Sequence, residues 1–292
     1  MNKYNIKSST DFYGAPKEEF HIELWKRLLN KHSTIKNVSK VFNLSVRQLY
    51  KWKEGKNCYP LSALNMLANE VNLTIKSDSL RYIKTSKASG LLRNPRISFQ
   101  SSNKLIELLA HLLHDGGIDH DFRVHYTTHS KKAAKRFVRL VQYCFGKTKI
   151  EFRQETKKIT LYFPAIIGKI LTNIFHLPKG SKVKNNVHIP NFIFKQKKDD
   201  IWLYICAAYF CDGVKDRVSI VSSSNSIKTK PNLLLDLMKL MKIIGIKTIE
   251  IKPSEIYEVK SGNKHRRWIL NIKDPQDKKS FLFQYHKYLL LL

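Results

Sequence analysis

The chain has 292 residues, 42% of them hydrophobic, which is enough for a sizeable core and, by length, for two domains. Its 53 lysine and arginine residues exceed its 23 aspartate and glutamate residues, so the formal net charge is +30. Such a charge predicts a polyanionic partner, with nucleic acid first, although a lysine-rich surface can also reflect genome composition or growth temperature alone. No apolar run is long enough to span a bilayer, and we find no secretory signal peptide, which excludes a membrane partner.

Four cysteines are present, and none of them belongs to a Cys-x-x-Cys pair. Most lie in apolar surroundings, which is typical of reduced thiols rather than of disulfides or zinc ligands. We therefore expect a cytoplasmic protein without structural zinc. The cysteines are Cys58, Cys144, Cys206 and Cys211.

In chain order, the first predicted elements are helices. Apolar residues recur at helical spacing over Glu18–Asn30, and a second short helix fits Thr34–Phe42. After a turn, Ser45 is a natural N-cap for a third helix that runs to about Trp52. A fourth apolar stripe covers Leu61–Val71. Residues 1–75 are thus predicted to form an all-α helix-turn-helix bundle.

The stretch "SKVFNLSVRQLYKWKEGKNCYPLSALNMLANEV" resembles repressor-type helix-turn-helix domains, in which the helix after the turn enters the major groove. The resemblance implies four DNA-facing residues, and arginine and glutamine among them suit guanine and adenine edges. The alternative is a bundle whose polar face is only solvated, or one that binds protein. The four residues are Ser45, Arg47, Gln48 and Lys51.

Residues 76–102 follow this bundle, and their periodicity is weak. The run "KTSKASGLLRNPRISFQSS" is rich in serine, lysine and arginine, with Gly90 and Pro95 as breakers. We interpret it as a basic linker that could follow phosphates.

An internal repeat dominates the remainder of the chain. The segments "LLAHLLHDGGID" and "IWLYICAAYFCDGVKD" are apolar helices that each end in Asp-Gly. Each is followed by an extended segment, a basic amphipathic helix, two further strands and a last helix. We therefore predict an α+β domain of two αββαββα repeats, at about 103–197 and 198–292.

This order, together with the stretch "IPNFIFKQKKDDIWLYICAAYFCDG", resembles the single-chain LAGLIDADG homing endonucleases over Asn103–Leu292. The resemblance implies that the two motif helices pack at a pseudo-twofold axis, where Ala110, Ala207 and Ala208 would allow close approach. It also implies a monomer, because one chain supplies both halves of the DNA-binding saddle.

In that family an acidic residue precedes the glycine of each motif, and the matching residues here are Asp115 and Asp212. Carboxylates that hold Mg²⁺ would supply the chemistry of phosphodiester hydrolysis. Lys158 and Arg267 are candidates for stabilising developing negative charge. The alternative is that each aspartate merely ends a helix beside a glycine.

Alternate side chains along the extended segment of each half are predicted to face DNA bases or phosphates. These are Arg123, His125, Thr127, Arg217, Ser219 and Ser223.

Both motifs depart from the family pattern, because His114 and Cys211 stand immediately before the acids. The second motif also allows a register one residue away, which would put Gly213 at the acid position. We favour Asp212, since both helices then end alike and the acids lie 97 residues apart. We interpret His111, on the same helix as His114, as a packed or groove-facing residue rather than a metal ligand.

Three functions follow from these patterns. The first is a sequence-specific, Mg²⁺-dependent DNA endonuclease. The second is a regulator that keeps DNA binding without cleavage, and the third is an RNA-binding intron maturase. No splice-junction residues are visible, so we interpret the chain as free-standing.

Overall fold

A computed structural model describes residues 3–7, 9, 11–85, 90–214, 217–247, 249–259 and 262–292. The chain forms two compact units. Unit 1 is Met1–Gln100 with Gln142–Lys149 and Pro164–Ile170, and unit 2 is Ser101–Val141, Ile150–Phe163 and Leu171–Leu292. In the described part of the chain, no helix is both long and apolar enough to cross a membrane.

The helices are α1 (Glu18–His32), α2 (Ile35–Phe42), α3 (Val46–Lys53), α4 (Leu61–Glu70), α5 (Asn103–His114), α6 (Lys131–Phe145), α7 (Ala165–Phe175), α8 (Lys182–Asn185), α9 (Lys198–Asp212), α10 (Asn232–Ile243) and α11 (Pro275–Leu289). The strands are β1 (Lys3–Asn5), β2 (Phe12–Pro16), β3 (Tyr59–Pro60), β4 (Leu80–Thr85), β5 (Leu91–Arg93), β6 (Ser98–Gln100), β7 (Gly116–Ile118), β8 (Val124–Thr128), β9 (Glu151–Glu155), β10 (Lys158–Phe163), β11 (Gly213–Val214), β12 (Ser219–Ser224), β13 (Ile249–Glu258) and β14 (Lys264–Ile272).

In unit 1 the four predicted helices are present, but an antiparallel sheet of order β3-β2-β4-β5 accompanies them. The prediction of an all-α N-terminal domain is therefore wrong. Strand β4 buries Leu80 and Ile83 completely. It pairs with β2 on one side and with β5 on the other, so it lies inside the sheet.

The interpretation of residues 76–102 as a linker also needs correction. Strands β4, β5 and β6 lie in this segment, and β6 pairs with β1. Leu92 and Ile97 are buried, so the segment contributes to the core of unit 1. Residues 86–89 of the predicted linker lie outside the described residues.

From Asn103 onward the order αββαββα occurs twice, as α5-β7-β8-α6-β9-β10-α7 and as α9-β11-β12-α10-β13-β14-α11. The two antiparallel sheets have the same topology, with strand orders β7-β8-β10-β9 and β11-β12-β14-β13. The predicted α+β class and its internal repeat are confirmed.

The strand registers show which positions of the two sheets are equivalent. Tyr126 pairs with Gly116 and Leu161 in the first sheet, and Ile220 pairs with Gly213 and Leu270 in the second. Each glycine directly follows an aspartate, so the registers align Asp115 with Asp212. They align Lys158 with Arg267 as well, because each lies three residues before the paired leucine.

Candidate active site

The two motif helices, α5 and α9, pack against one another. Ala110, Ala207 and Ala208 are completely buried, as expected of small side chains where two backbones approach closely. Alignment of the two acids makes Ala110 equivalent to Ala207, so the same small residue lies on both helices.

Helix α5 ends one residue before Asp115 and helix α9 ends at Asp212, and in both cases the chain enters a short strand at the next glycine. A Cβ atom on Gly116 would lie 3.0 Å from the Cα atom of Leu112, and one on Gly213 would clash with the carbonyl oxygen of Tyr209. Leu112 and Tyr209 occupy the same position, three residues before the acid. This shared geometry supports the Asp212 register over its alternative.

The two acids contact the opposite helix in a reciprocal manner. The Nδ1 atom of His114 lies 2.5 Å from Oδ2 of Asp212. The thiol of Cys211 interacts with Asp115, and its Sγ atom lies 3.4 Å from Nδ1 of His111. The residue before each acid thus contacts the acid of the other motif. The two departures from the family pattern therefore form part of the site, which could not be seen from the sequence.

Burial raises the pKa of Asp115 to about 6, and the nearby negative charge of Asp212 adds to the increase. The Cys211 hydrogen bond, the charge of His114 and the charge of Lys182 act in the opposite direction. The carboxylates are consequently close enough to repel one another electrostatically, as two acids that share a site do.

Lys182, in α8, is a site residue that the sequence analysis missed. Its Nζ atom donates hydrogen bonds to the carbonyl oxygens of Leu113, at 3.0 Å, and of His114. Burial lowers the pKa of Lys182, whereas the charges of Asp212 and Asp115 raise it. No motif marks this lysine, which lies in a basic stretch between the two repeats.

A cavity of about 390 Å³ lies beside this cluster in unit 2. Its walls include His114, Lys182, Asp212 and Arg267. Arg267 thus lines the same cavity as Asp212, and its guanidinium pairs with Glu255. Lys158 is exposed on β10 and does not contribute to the lining of this cavity.

The acid pair is chemically suited to Mg²⁺, because carboxylate oxygens are the hard ligands that this ion prefers. Within the described ranges, no three His, Cys, Asp or Glu side chains are grouped so that they could hold a metal. The remaining ligands would therefore be water and DNA phosphate oxygens, which is common for Mg²⁺.

His111 belongs to the core and not to a metal site. Its ring is completely buried, with Nε2 lying 3.0 Å from the Tyr288 hydroxyl and Nδ1 3.2 Å from the Tyr126 hydroxyl. Burial lowers the pKa of His111 to about 3, which keeps the ring neutral.

The predicted DNA-facing side chains of the first half lie at or beside β8. His125 and Thr127 alternate with the buried residues Val124, Tyr126 and Thr128, so they share one partly exposed face of the strand. Arg123 lies just before β8 and pairs with Asp119 at 3.1 Å.

The second half differs. Arg217 is exposed in the turn before β12, and Ser223 is partly exposed and lines the cavity. Ser219 is only 2% exposed, and it lies opposite Val214 of the neighbouring strand β11. The expectation that Ser219 contacts DNA is therefore wrong.

In unit 1, α2 and α3 are joined by a turn in which Asn43 adopts the left-handed conformation, with φ of 50°. Leu49 and Trp52 bury one face of α3. Arg47 and Lys51 lie on the opposite face, whereas Ser45 is the N-cap and Gln48 lies one turn before Trp52. Of the four predicted DNA-facing residues, Ser45 and Arg47 are exposed, whereas Gln48 and Lys51 are partly exposed.

No protein-family model matches the chain, and comparison with curated protein sequences found no significant match. Among solved structures, the homing endonuclease I-DmoI is similar at 17% identity, covering 63% of this chain and 94% of that chain, with a TM-score of 0.43. The N-terminal LAGLIDADG domain of DUF199/WhiA is similar at 18% identity, covering 64% and 84%, with a TM-score of 0.35. One I-DmoI structure is a complex with DNA and Mn.

Proposed function

We propose that the chain binds double-stranded DNA sequence-specifically and cleaves it in a reaction that depends on a divalent cation. The observation that carries this proposal is the reciprocal acid pair, Asp115 and Asp212, at the ends of two packed helices. A net charge of +30 supplies the attraction to the phosphate backbone.

Asp115 and Asp212 would hold Mg²⁺, which would supply Lewis-acid polarisation of a phosphoryl oxygen. The ammonium group of Lys182 and the guanidinium of Arg267 add positive charge beside the acids, where negative charge develops during phosphodiester cleavage. Lys182 also donates hydrogen bonds to the last two carbonyl groups of α5, which fixes the backbone position of Asp115.

The helix-turn-helix surface of unit 1 would lengthen the recognised sequence. Arg47 and Gln48 are suited to major-groove edges of guanine and adenine, and Lys51 is suited to a phosphate. The exposed side chains at β8 and β12 would serve the same purpose in unit 2.

A DNA-binding regulator without cleavage is the second candidate, and one contact favours it. His114 already contacts one carboxylate oxygen of Asp212, so that oxygen is less available as a cation ligand. A regulator would keep the DNA-binding surfaces and would be insensitive to Mg²⁺.

The test uses purified protein and a duplex library that contains the protein's own genomic locus, with Mg²⁺ or with EDTA. Sequencing of the DNA ends reports cleavage, and a gel-shift assay reports binding. We expect Mg²⁺-dependent ends at one sequence, lost in Asp115→Asn and in Asp212→Asn while binding persists. Tight binding without ends in any condition would support the regulator instead. Preference for a folded RNA competitor over duplex DNA would contradict both.

A further inference from the structure

Unit 1 contains a cavity that the proposed cleavage function does not use. It measures about 870 Å³, within the range of about 300–1,000 Å³ that is typical of small-ligand sites. Its walls come from β2, from the start of α1, from α3 with the loop after it, and from β3 and β4. It therefore opens beside the helix that we expect to read DNA.

Aromatic rings form much of the wall. Tyr13 and Tyr82 are partly exposed, and Trp52 stacks on Tyr59 with a ring-centroid distance of 5.0 Å. Such rings are platforms on which a planar group can stack. The planar groups that such platforms recognise in nucleic acids are the bases.

An unsatisfied donor lies in the same wall. Trp52 is only 3% exposed, and its indole N–H has no hydrogen-bond partner among the described residues. A buried donor without a partner costs free energy, so a ligand that supplies an acceptor would recover it. The amide side chains of Gln48 and Asn57 also line the cavity and offer both donors and acceptors.

The wall is positively charged. Arg81, Lys84 and Lys56 line the cavity together with the acid Glu18, and Lys56 pairs with Glu54. The Arg81 guanidinium lies 5.4 Å from the centre of the Tyr82 ring, which places a phosphate-binding group directly beside a stacking platform.

We propose that this cavity binds a nucleotide, either free or as an unpaired nucleotide of a nucleic acid strand. The base stacks on the tyrosine rings and accepts a hydrogen bond from Trp52, while the phosphate pairs with Arg81 and Lys84. A purely apolar ligand would leave the cations and the indole N–H without partners, and a bare anion would not use the rings.

The test follows the indole N–H resonance of Trp52 by NMR in the full chain, assigned by its loss in Trp52→Phe. The protein is titrated with 5′-mononucleotides, nucleosides, inorganic phosphate, and a single-stranded oligonucleotide with and without one abasic position. We expect a saturable shift with mononucleotides or with the intact oligonucleotide, at lower concentration than with nucleosides or phosphate. Saturation by the oligonucleotide alone would identify the strand as the source. An unmoved resonance, or an equal response to phosphate alone, would overturn the proposal.

Matched variants separate this site from general charge attraction. Arg81→Ala removes a cavity cation, whereas Arg93→Ala removes an exposed cation from the adjacent strand β5, outside the cavity. We expect Arg81→Ala to weaken nucleotide binding about tenfold, as loss of a charged hydrogen bond does, and Arg93→Ala to change it by less than about twofold. Equal weakening by both variants would overturn the proposal. Neither variant touches the acid pair, so cleavage can succeed or fail independently.

Discussion

The two halves of the duplicated domain share one topology but differ in what surrounds each acid. In the first half Asp115 meets the thiol of Cys211, and in the second Asp212 meets the imidazole of His114. The strand registers preserve the backbone frame, whereas the contacting side chains have diverged. A repeat thus determines the backbone positions of the two acids, but it does not determine which side chains contact them.

The largest expected effect concerns a buried charge on α5 that the equivalent position of α9 lacks. Glu107, 1% exposed, forms two hydrogen bonds with Arg136, whereas the equivalent residue of α9 is Tyr204, whose buried hydroxyl has no partner in the described part of the chain. Arg136→Met would leave a buried carboxylate unpaired and should lower the free energy of unfolding by about 3–5 kcal/mol. Tyr204→Phe should change it by less than about 1 kcal/mol. Urea denaturation measures both, and similar losses in the two variants would contradict this asymmetry.

Lys182 contributes to both halves of the site. It donates a hydrogen bond to the Leu113 carbonyl at the end of α5, and it lines the same cavity as Asp212. Lys182→Met keeps the aliphatic stem and removes the charge. We expect cleavage to slow by about 100-fold, as when one preorganised donor is removed, with DNA affinity little changed. Lys184→Met, on the exposed side of the same helix, is the matched control. A loss of affinity as large as the loss of rate would mean that Lys182 only attracts DNA.

His114→Cys makes the two acid environments alike. If the contact with His114 weakens cation binding by Asp212, the original protein cuts the two DNA strands at unequal rates. The ratio of the two rates should then move towards one in the variant. The expected change is about tenfold, the size of one hydrogen bond to a charged group. Strand-specific end labelling of a nicked intermediate measures the two rates. An unchanged ratio would show that the histidine has no such effect.

The smallest expected effect is on stability. The pKa of Asp115 is raised to about 6, so its contribution to stability is present below about pH 4 and is lost as the pH rises through 6. Asp115→Asn should therefore melt a few degrees higher than the original protein at pH 8, and the gain should vanish near pH 4. Asp121→Asn, at an exposed position, should show no such dependence. Thermal melts across this pH range provide the comparison.

The sequence was sufficient to predict the repeat, because two apolar helices ending in Asp-Gly are a periodic signal. It also predicted α2 and α3, whose boundaries follow from helical spacing and from residues that cap helices. The sheet of unit 1 was missed because its strands are only two to six residues long, and because β4 and β5 lie in a segment rich in serine, lysine and arginine.

Tertiary contacts account for the other differences. The pairing of His114 with Asp212 joins residues 98 positions apart, and no local pattern encodes it. Lys182 cannot be distinguished from its lysine neighbours until the fold places it against α5. The burial of Ser219 depends on the short strand β11, which alternation within β12 alone does not indicate.

We propose that Asp115 and Asp212 together hold a divalent cation. The decisive experiment titrates Mn²⁺ into the protein bound to a non-cleavable phosphorothioate duplex, with free Mn²⁺ followed by electron paramagnetic resonance. We expect a saturable Mn²⁺ site beyond the Mn²⁺ bound by the DNA alone, weakened at least about tenfold in both Asp115→Asn and Asp212→Asn. Identical Mn²⁺ binding by the original protein and both variants would contradict it.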